Sequence, residues 1–387
     1  MIFHQNLDSS VMTYLFITCQ ETLEEDLEIE LKNLGFENVR KAFCGVYVES
    51  SIEAVYKINY LSRIGGRVLL PLVRFACKSK ETLYDQIKSF NIESVLSANK
   101  TFAIDCNGFN AGFDNNFYAA QVAKDAICDA FREKYDKRPS VSVKNPDVQL
   151  NLFLERTHIL LSLDTSGDPL FKRGYRAESV QAPVQESLAA AILQKANYSS
   201  DDVLLDPTCG SATFLIEAAL IASNTAPGFF RKKWGFVNHP EYDEIKWLEF
   251  KKNQDMKRRQ LPKNHFFGFD LNKEALRIAN ANIRNCNLQD FVTVFNQDFT
   301  TDFTLPKTPN IMISNPPHGI RLGSADQLKS LYRSLGDLFK QKIQKPGRAF
   351  VFTSSLELAK EVGLKPKKRH VIKSSGNDCR LLEFDIY

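Results

Sequence analysis

From residue 203 onward the chain alternates short, mostly apolar runs with helical segments, and this alternation restricts the fold more than any other feature. The runs cover 203–206, 265–270, 292–298, 310–315 and 348–354. A last pair, 370–373 and 380–387, leaves no room for a helix between its members and reads as a hairpin. Alternating βα units closed by a hairpin imply an α/β, doubly wound, mostly parallel sheet with an antiparallel C-terminal edge. Such sheets bind ligands outside the carboxyl ends of their strands.

Those ends carry Asp206, Asp270, Asp298 and Asn315. Asp206 is followed by the loop Pro207-Thr208-Cys209-Gly210-Ser211-Ala212-Thr213 and an apolar helix over 214–223. Gly210 lets backbone approach a ligand, and Ser211 or Thr213 is expected to cap the helix. No G-x-G-x-x-G is present, which disfavours a dinucleotide pyrophosphate. A carboxylate without a phosphate cradle suits a cationic or zwitterionic cofactor, and S-adenosylmethionine is one. Asp270 takes the position that usually meets ribose hydroxyls, although far beyond the customary spacing. Residues 224–262 therefore read as an insertion. Asp298 is placed for an adenine amino group.

The fourth strand runs into Asn315-Pro316-Pro317-His318. Methyl transfer to a planar amino nitrogen needs this combination. The Asn315 oxygen and the Pro316 carbonyl can accept both hydrogens of an –NH2 group. The prolines fix φ and hold the acceptors in place, and the His318 ring can lie on a nucleobase. Asn-Pro-Pro also occurs in ordinary turns.

The N-terminal half has a different pattern. Strand, helix, strand, helix over 13–63 suggests a small α+β unit, and 67–164 a second one closed by a hairpin at 148–155 and 158–164. A turn at 166–169 leads into the basic segment 171–176, whose Lys172, Arg173 and Arg176 are candidate RNA contacts. Two or three domains suit 387 residues, 43% hydrophobic and 25% charged. The net charge of +4 permits a nucleic-acid partner without requiring one. Eight scattered cysteines without a C-x-x-C pair argue against zinc and disulfides and fit a reducing cytoplasm. No apolar run approaches membrane-spanning length, and the first residues lack the pattern of a signal peptide.

Further motifs support a family resemblance. They include Lys124-Asp125-Ala126-Ile127, Arg138-Pro139-Ser140-Val141, Ser162-Leu163-Asp164-Thr165-Ser166-Gly167, Arg173-Gly174-Tyr175-Arg176, Ala182-Pro183 and Asn224-Thr225-Ala226-Pro227-Gly228 with Trp234 and Trp247. With the Asp206 loop and the Asn315 motif, the chain resembles the THUMP-domain S-adenosylmethionine-dependent RNA guanine N2-methyltransferases, most of all the bacterial type acting on 23S ribosomal RNA. The resemblance implies a ferredoxin-like domain over 12–66, an RNA-binding THUMP domain over 67–167 and a Rossmann-like class I methyltransferase domain over 175–387. It implies S-adenosylmethionine held by Glu186, Ser187, Asp206, Thr208, Cys209, Gly210, Asp270, Leu271, Asp298 and Asn315, and catalysis by Asn315, Pro316, Pro317 and His318. The implied partner is 23S ribosomal RNA or a ribosome assembly intermediate, with no membrane, metal or obligate protein partner. His318 stands where the family usually has tyrosine, and Ala212 where glycine is common. Two other readings stay open: a methyltransferase acting on transfer RNA guanine or on an adenine amino group, and a non-catalytic RNA-binding assembly factor.

Overall fold

The computed structural model describes residues 13–176, 178, 183–317, 325–374 and 376–387, so His318 lies outside the described residues. The N-terminal part contains β1 (Thr13–Thr18), α1 (Glu24–Asn33), β2 (Val39–Ala42), β3 (Gly45–Ser50), α2 (Ala54–Leu61) and β4 (Val68–Ala76). Then follow α3 (Lys80–Ser89), β5 (Thr101–Gly108), α4 (Asn116–Tyr135), β6 (Ser140–Val141), β7 (Val148–Leu154) and β8 (His158–Asp164). After these come α5 (Glu186–Lys195), β9 (Leu204–Asp206), α6 (Thr213–Ala222), α7 (Glu244–Asp255), β10 (Phe266–Asp270), α8 (Lys273–Asn285) and β11 (Val292–Asn296). The chain closes with β12 (Ile311–Ser314), α9 (Ala325–Lys342), β13 (Gly347–Thr353), α10 (Leu356–Glu361), β14 (Lys368–Ser374) and β15 (Asn377–Ile386).

Two compact units result. The first gathers the described residues up to Thr18, then Leu31–Leu170 and Lys232–Lys251. One sheet of order β2-β3-β1-β4-β8-β7-β5-β6 runs through it, so the two N-terminal units expected from the sequence share a single sheet. At the end of β8 a polar knot replaces regular pairing. Asn59 Nδ2 donates to Thr165 Oγ1 (2.9 Å), and Ser166 Oγ donates to Asn59 Oδ1 (2.7 Å). Burial pushes the Asp164 carboxyl up to about 6, held back by the paired Arg67 guanidinium and the Ser166 N–H. The part of the insertion in this unit is an aromatic plug: Trp247 has Tyr56, Tyr60, Trp234, Phe236 and Phe250 around it, with ring centroids 5.0–6.2 Å away.

The second unit comprises Cys19–Glu30, Phe171–Arg231 and Lys252–Tyr387. Its sheet has the order β11-β10-β9-β12-β13-β15-β14. Neighbours from β11 to β13 pair in parallel; β13–β15 and β15–β14 are antiparallel. The C-terminal hairpin is thus where the sequence puts it. Alternate residues Leu205, Phe267, Phe269, Met312, Ala349 and Val351 form a core with Leu328, Tyr332, Leu335 and Phe339 of α9. The intervening Leu204, Phe266, Ile311 and Ile313 are buried as well, which is why these strands read as continuous apolar runs. Among the described residues no helix is long and apolar enough to cross a membrane, and no group of His, Cys, Asp or Glu is placed to hold a metal ion.

Candidate active site

The four strand-end residues lie on neighbouring strands. Asp206 and Asp270 close β9 and β10, Asn315 follows β12 directly, and Asp298 stands two residues beyond β11. The sheet order β11-β10-β9-β12 brings all four to one edge.

Asp206 is 1% exposed, and Thr208 N–H donates to its Oδ1 (3.0 Å). Burial pushes its pKa up to about 8; the Thr208 N–H restrains the rise and the nearby Asp270 charge adds to it. Among the described residues no cationic side chain offsets this carboxyl. Asp270 accepts from Gly210 N–H at Oδ2 (2.9 Å) and from Asn272 N–H at Oδ1 (2.8 Å), which ties the loop after β9 to the loop after β10. A carboxylate has about four acceptor sites, so both oxygens retain capacity for hydroxyl donors. Leu271 beside it is 65% exposed, an apolar side chain displayed at this edge. Asp298 Oδ1 accepts from the Thr300 N–H (2.9 Å) and hydroxyl (2.7 Å), closing its own turn.

Two further contacts fix the loops. Thr208 Oγ1 and Ser314 Oγ lie 2.8 Å apart, joining the ends of β9 and β12. Cys209 N–H donates to Phe269 O (2.9 Å). The Cys209 thiol is buried, with its pKa pushed well up by burial, and acts as packing. Gly268 makes room for it: a Cβ there would lie 2.7 Å from Leu215 Cδ1 and 2.9 Å from Cys209 Cβ. Pro316 is buried and Pro317 half-buried. The Asn315 Oδ1 is buried and has no hydrogen-bond partner among the described residues.

The structure overturns the expected helix cap. The N-cap of α6 is Ala212, at φ 64° and ψ 27°, and no side chain caps it. A residue with a Cβ costs about 1–2 kcal/mol in this left-handed conformation, which explains why glycine suits the position. Ser211 and Thr213 instead turn their hydroxyls to Arg176.

Two of the three expected RNA contacts are also corrected. Arg173 is 1% exposed and pairs with Glu217 (3.5 Å), itself fully buried, to which Tyr175 Oη also donates (3.3 Å). Arg176 is mostly buried and pairs with Glu186 (2.8 Å). A guanidinium held by internal carboxylates is not presented to a phosphate. Lys172 is exposed. Glu186 and Ser187 are buried at the start of α5, and burial raises the Glu186 pKa while Arg176 restrains it. The sequence reading missed the inward role of Arg176, Glu217 inside α6, and Asn296, whose Nδ2 donates to the Asp270 and Leu271 carbonyls (3.0 and 3.1 Å). The i, i+4 spacing of Thr213 and Glu217 along one helix face was the available signal for the first two.

Comparison with known proteins agrees with this architecture. Residues 173–381 match the model described as RMKL-like, methyltransferase domain; 77–164 match the THUMP domain and 14–69 the RlmL ferredoxin-like domain. A protein of Syntrophotalea carbinolica named ribosomal RNA large subunit methyltransferase K/L is 36% identical over 96% of this chain and 53% of its own length. The chain spans about half the length of the K/L relatives it matches. A Synechocystis protein named "Putative RNA methyltransferase" is 33% identical over 96% of both chains. A crystal structure described as "a putative methyltransferase complexed with SAH" superposes with a TM-score of 0.87 at 27% identity, covering 97% of this chain and 98% of that one. With a class I methyltransferase domain that follows a ferredoxin-like and a THUMP domain in sequence, this chain belongs to the RMKL-like methyltransferase family.

Proposed function

We propose that this chain transfers a methyl group from S-adenosylmethionine to the exocyclic N2 amine of a guanine in 23S ribosomal RNA. The observation that carries the reading is the buried Oδ1 of Asn315, just past the end of β12, which has no hydrogen-bond partner among the described residues. A buried acceptor without a donor costs about 1–3 kcal/mol, and strain of this kind collects at functional sites. An –NH2 group supplies the missing donor. The THUMP match and the relatives' names support an RNA substrate and the large ribosomal subunit. The division 12–66, 67–167 and 175–387 remains our domain assignment.

The residues fit the proposed cofactor. Asp206 is a buried carboxyl with no offsetting cation among the described residues, Asp270 has acceptor capacity for ribose hydroxyls, and Leu271 offers an exposed apolar surface to a purine. Asp298 would meet the adenine amine, with Glu186 and Ser187 at the methionine end and Thr208, Cys209 and Gly210 forming the wall. S-adenosylmethionine supplies an electrophilic methyl group on a positively charged sulfur. The chain's task is alignment: most of the rate gain comes from holding the acceptor nitrogen in line with that methyl. Asn315 Oδ1 and the Pro316 carbonyl accept the amine hydrogens and stabilise the positive charge that develops on nitrogen. The base reaches them only after leaving its helix, and stacking falls to His318.

The test is incubation of the purified chain with the methyl donor and 23S RNA that lacks its own methylguanosines, followed by mass-spectrometric nucleoside mapping. N2-methylguanosine at one site is expected. Methyl groups only on adenine, only in transfer RNA, or on no nucleoside contradict the proposal.

Asp206 gives a second prediction. Its folded-state pKa of about 8 exceeds the ordinary 3.8, so the folded chain keeps a proton that the unfolded chain releases. Stability from this group falls as pH rises through that window. A cationic ligand favours the ionised form, so at pH 7 binding of S-adenosylmethionine releases most of one proton. Affinity therefore rises with pH and levels off above about 8. Calorimetry in buffers of different ionisation enthalpy reads the proton count. Asp206→Asn should abolish the release; an unchanged count in that variant excludes this carboxyl.

A further inference from the structure

We infer that Arg176 is a positioning residue that sets the shape of the cofactor loop, a role that rests on the proposed reading of this edge as an S-adenosylmethionine site. The guanidinium donates through all three nitrogens. Nε reaches Glu186 Oε1 (2.8 Å), Nη1 reaches Ser211 Oγ (3.0 Å), and Nη2 reaches Thr213 Oγ1 (2.9 Å) and Val184 O (3.3 Å). These acceptors belong to two separate stretches. One opens α5 and carries Glu186 and Ser187; the other is the turn after Gly210 that opens α6. A single planar fork therefore joins two proposed walls of the pocket.

The position of Ala212 shows what the fork does. Its φ of 64° is a conformation a residue with a Cβ leaves unless its surroundings over-determine it. Ser211 before it and Thr213 after it are both held by the Arg176 guanidinium. The arginine thus pins both sides of the one strained residue in the loop. Its own course is fixed in turn, because Arg173 and Tyr175 reach Glu217, one helical turn beyond Thr213. Lysine cannot replace this fork: one ammonium on a flexible stem does not span acceptors on two segments in a single plane. With 17% of its side chain exposed and its nitrogens committed inward, Arg176 has little to offer RNA.

The test uses the full chain with Arg176→Lys, Arg176→Ala and Thr213→Val. The dissociation constant for S-adenosylmethionine is read by calorimetry, RNA affinity without cofactor by filter binding, and folding by the urea midpoint. Arg176→Lys should weaken cofactor binding by about tenfold or more, the scale of losing a charged hydrogen bond, and leave RNA affinity within about twofold. Thr213→Val, which removes one acceptor and keeps the shape, should move in the same direction by less. Adding Ala212→Gly to Arg176→Lys should recover part of the lost affinity, because glycine adopts the left-handed conformation without a clamp. A general loss of folding would not show that rescue. Unchanged cofactor affinity in all three variants, or loss of RNA affinity with cofactor binding intact, overturns the inference and leaves the cofactor reading standing. Failure of the unsubstituted chain to bind S-adenosylmethionine overturns both.

Discussion

Asn315→Ala lowers the methyl-transfer rate by roughly 10²-fold or more and leaves S-adenosylmethionine affinity close to that of the unsubstituted chain. The reason lies in where the side-chain oxygen sits. It is buried after a strand whose four residues are all buried, and nothing among the described residues donates to it. On the proposed reading, its hydrogen-bonding capacity is held for a group that arrives with the substrate. Removing it leaves the nitrogen's developing charge without one preorganised acceptor, which is the scale of effect quoted. The same geometry fixes the sign of the stability change. Deleting a buried oxygen that has no partner among the described residues leaves no donor there orphaned, so the urea midpoint should hold or rise. Single-turnover measurements with saturating donor and RNA separate this from altered binding. Turnover near normal, or a large loss of cofactor affinity, would remove Asn315 from the transfer step.

The largest stability effect is expected in the first unit, at Trp247. Replacement by alanine should cost about 3–5 kcal/mol. The indole is 5% exposed, and its neighbours Tyr56, Tyr60, Trp234, Phe236 and Phe250 are large rings that cannot collapse into the space it leaves. Offset and edge contacts between aromatic rings add about 0.5–1.5 kcal/mol per pair beyond the buried area. The probe is built in. The chain has two tryptophans, Trp234 and Trp247, so the variant keeps one reporter inside the same cluster. Its fluorescence in urea follows the first unit alone. A midpoint shift equivalent to less than about 1 kcal/mol would mean that the plug carries little of that unit's stability.

Local pattern reads some elements well and others poorly. The edge strand β2 was missed: Val39-Arg40-Lys41-Ala42 has a half-buried, exposed, exposed, half-buried profile and no apolar alternation to announce it. Its strand character comes from pairing with β3, for example Arg40 opposite Tyr47. The insertion was legible as an interruption between α6 and β10. That residues 232–251 fold into the first unit was not, because aromatic spacing alone does not name the surface it will cover. Ser211 and Thr213 looked like caps because local rules favour hydroxyls there; a guanidinium 35 and 37 residues away in sequence took both.

Apolar periodicity and strand length, which act over a few residues, suffice for the parallel sheet, its closing hairpin and the polar residues at the strand ends. Whether a charged side chain faces water or a buried carboxylate depends on what the rest of the chain stacks over it. Arginine at 173 and 176 therefore reads the same on paper as one gripping phosphate, and only the packing of α5 and α6 turned both inward. The Asn315 oxygen, without a partner among the described residues, is likewise a product of packing, since solvation is a property of the folded surroundings and not of the residue.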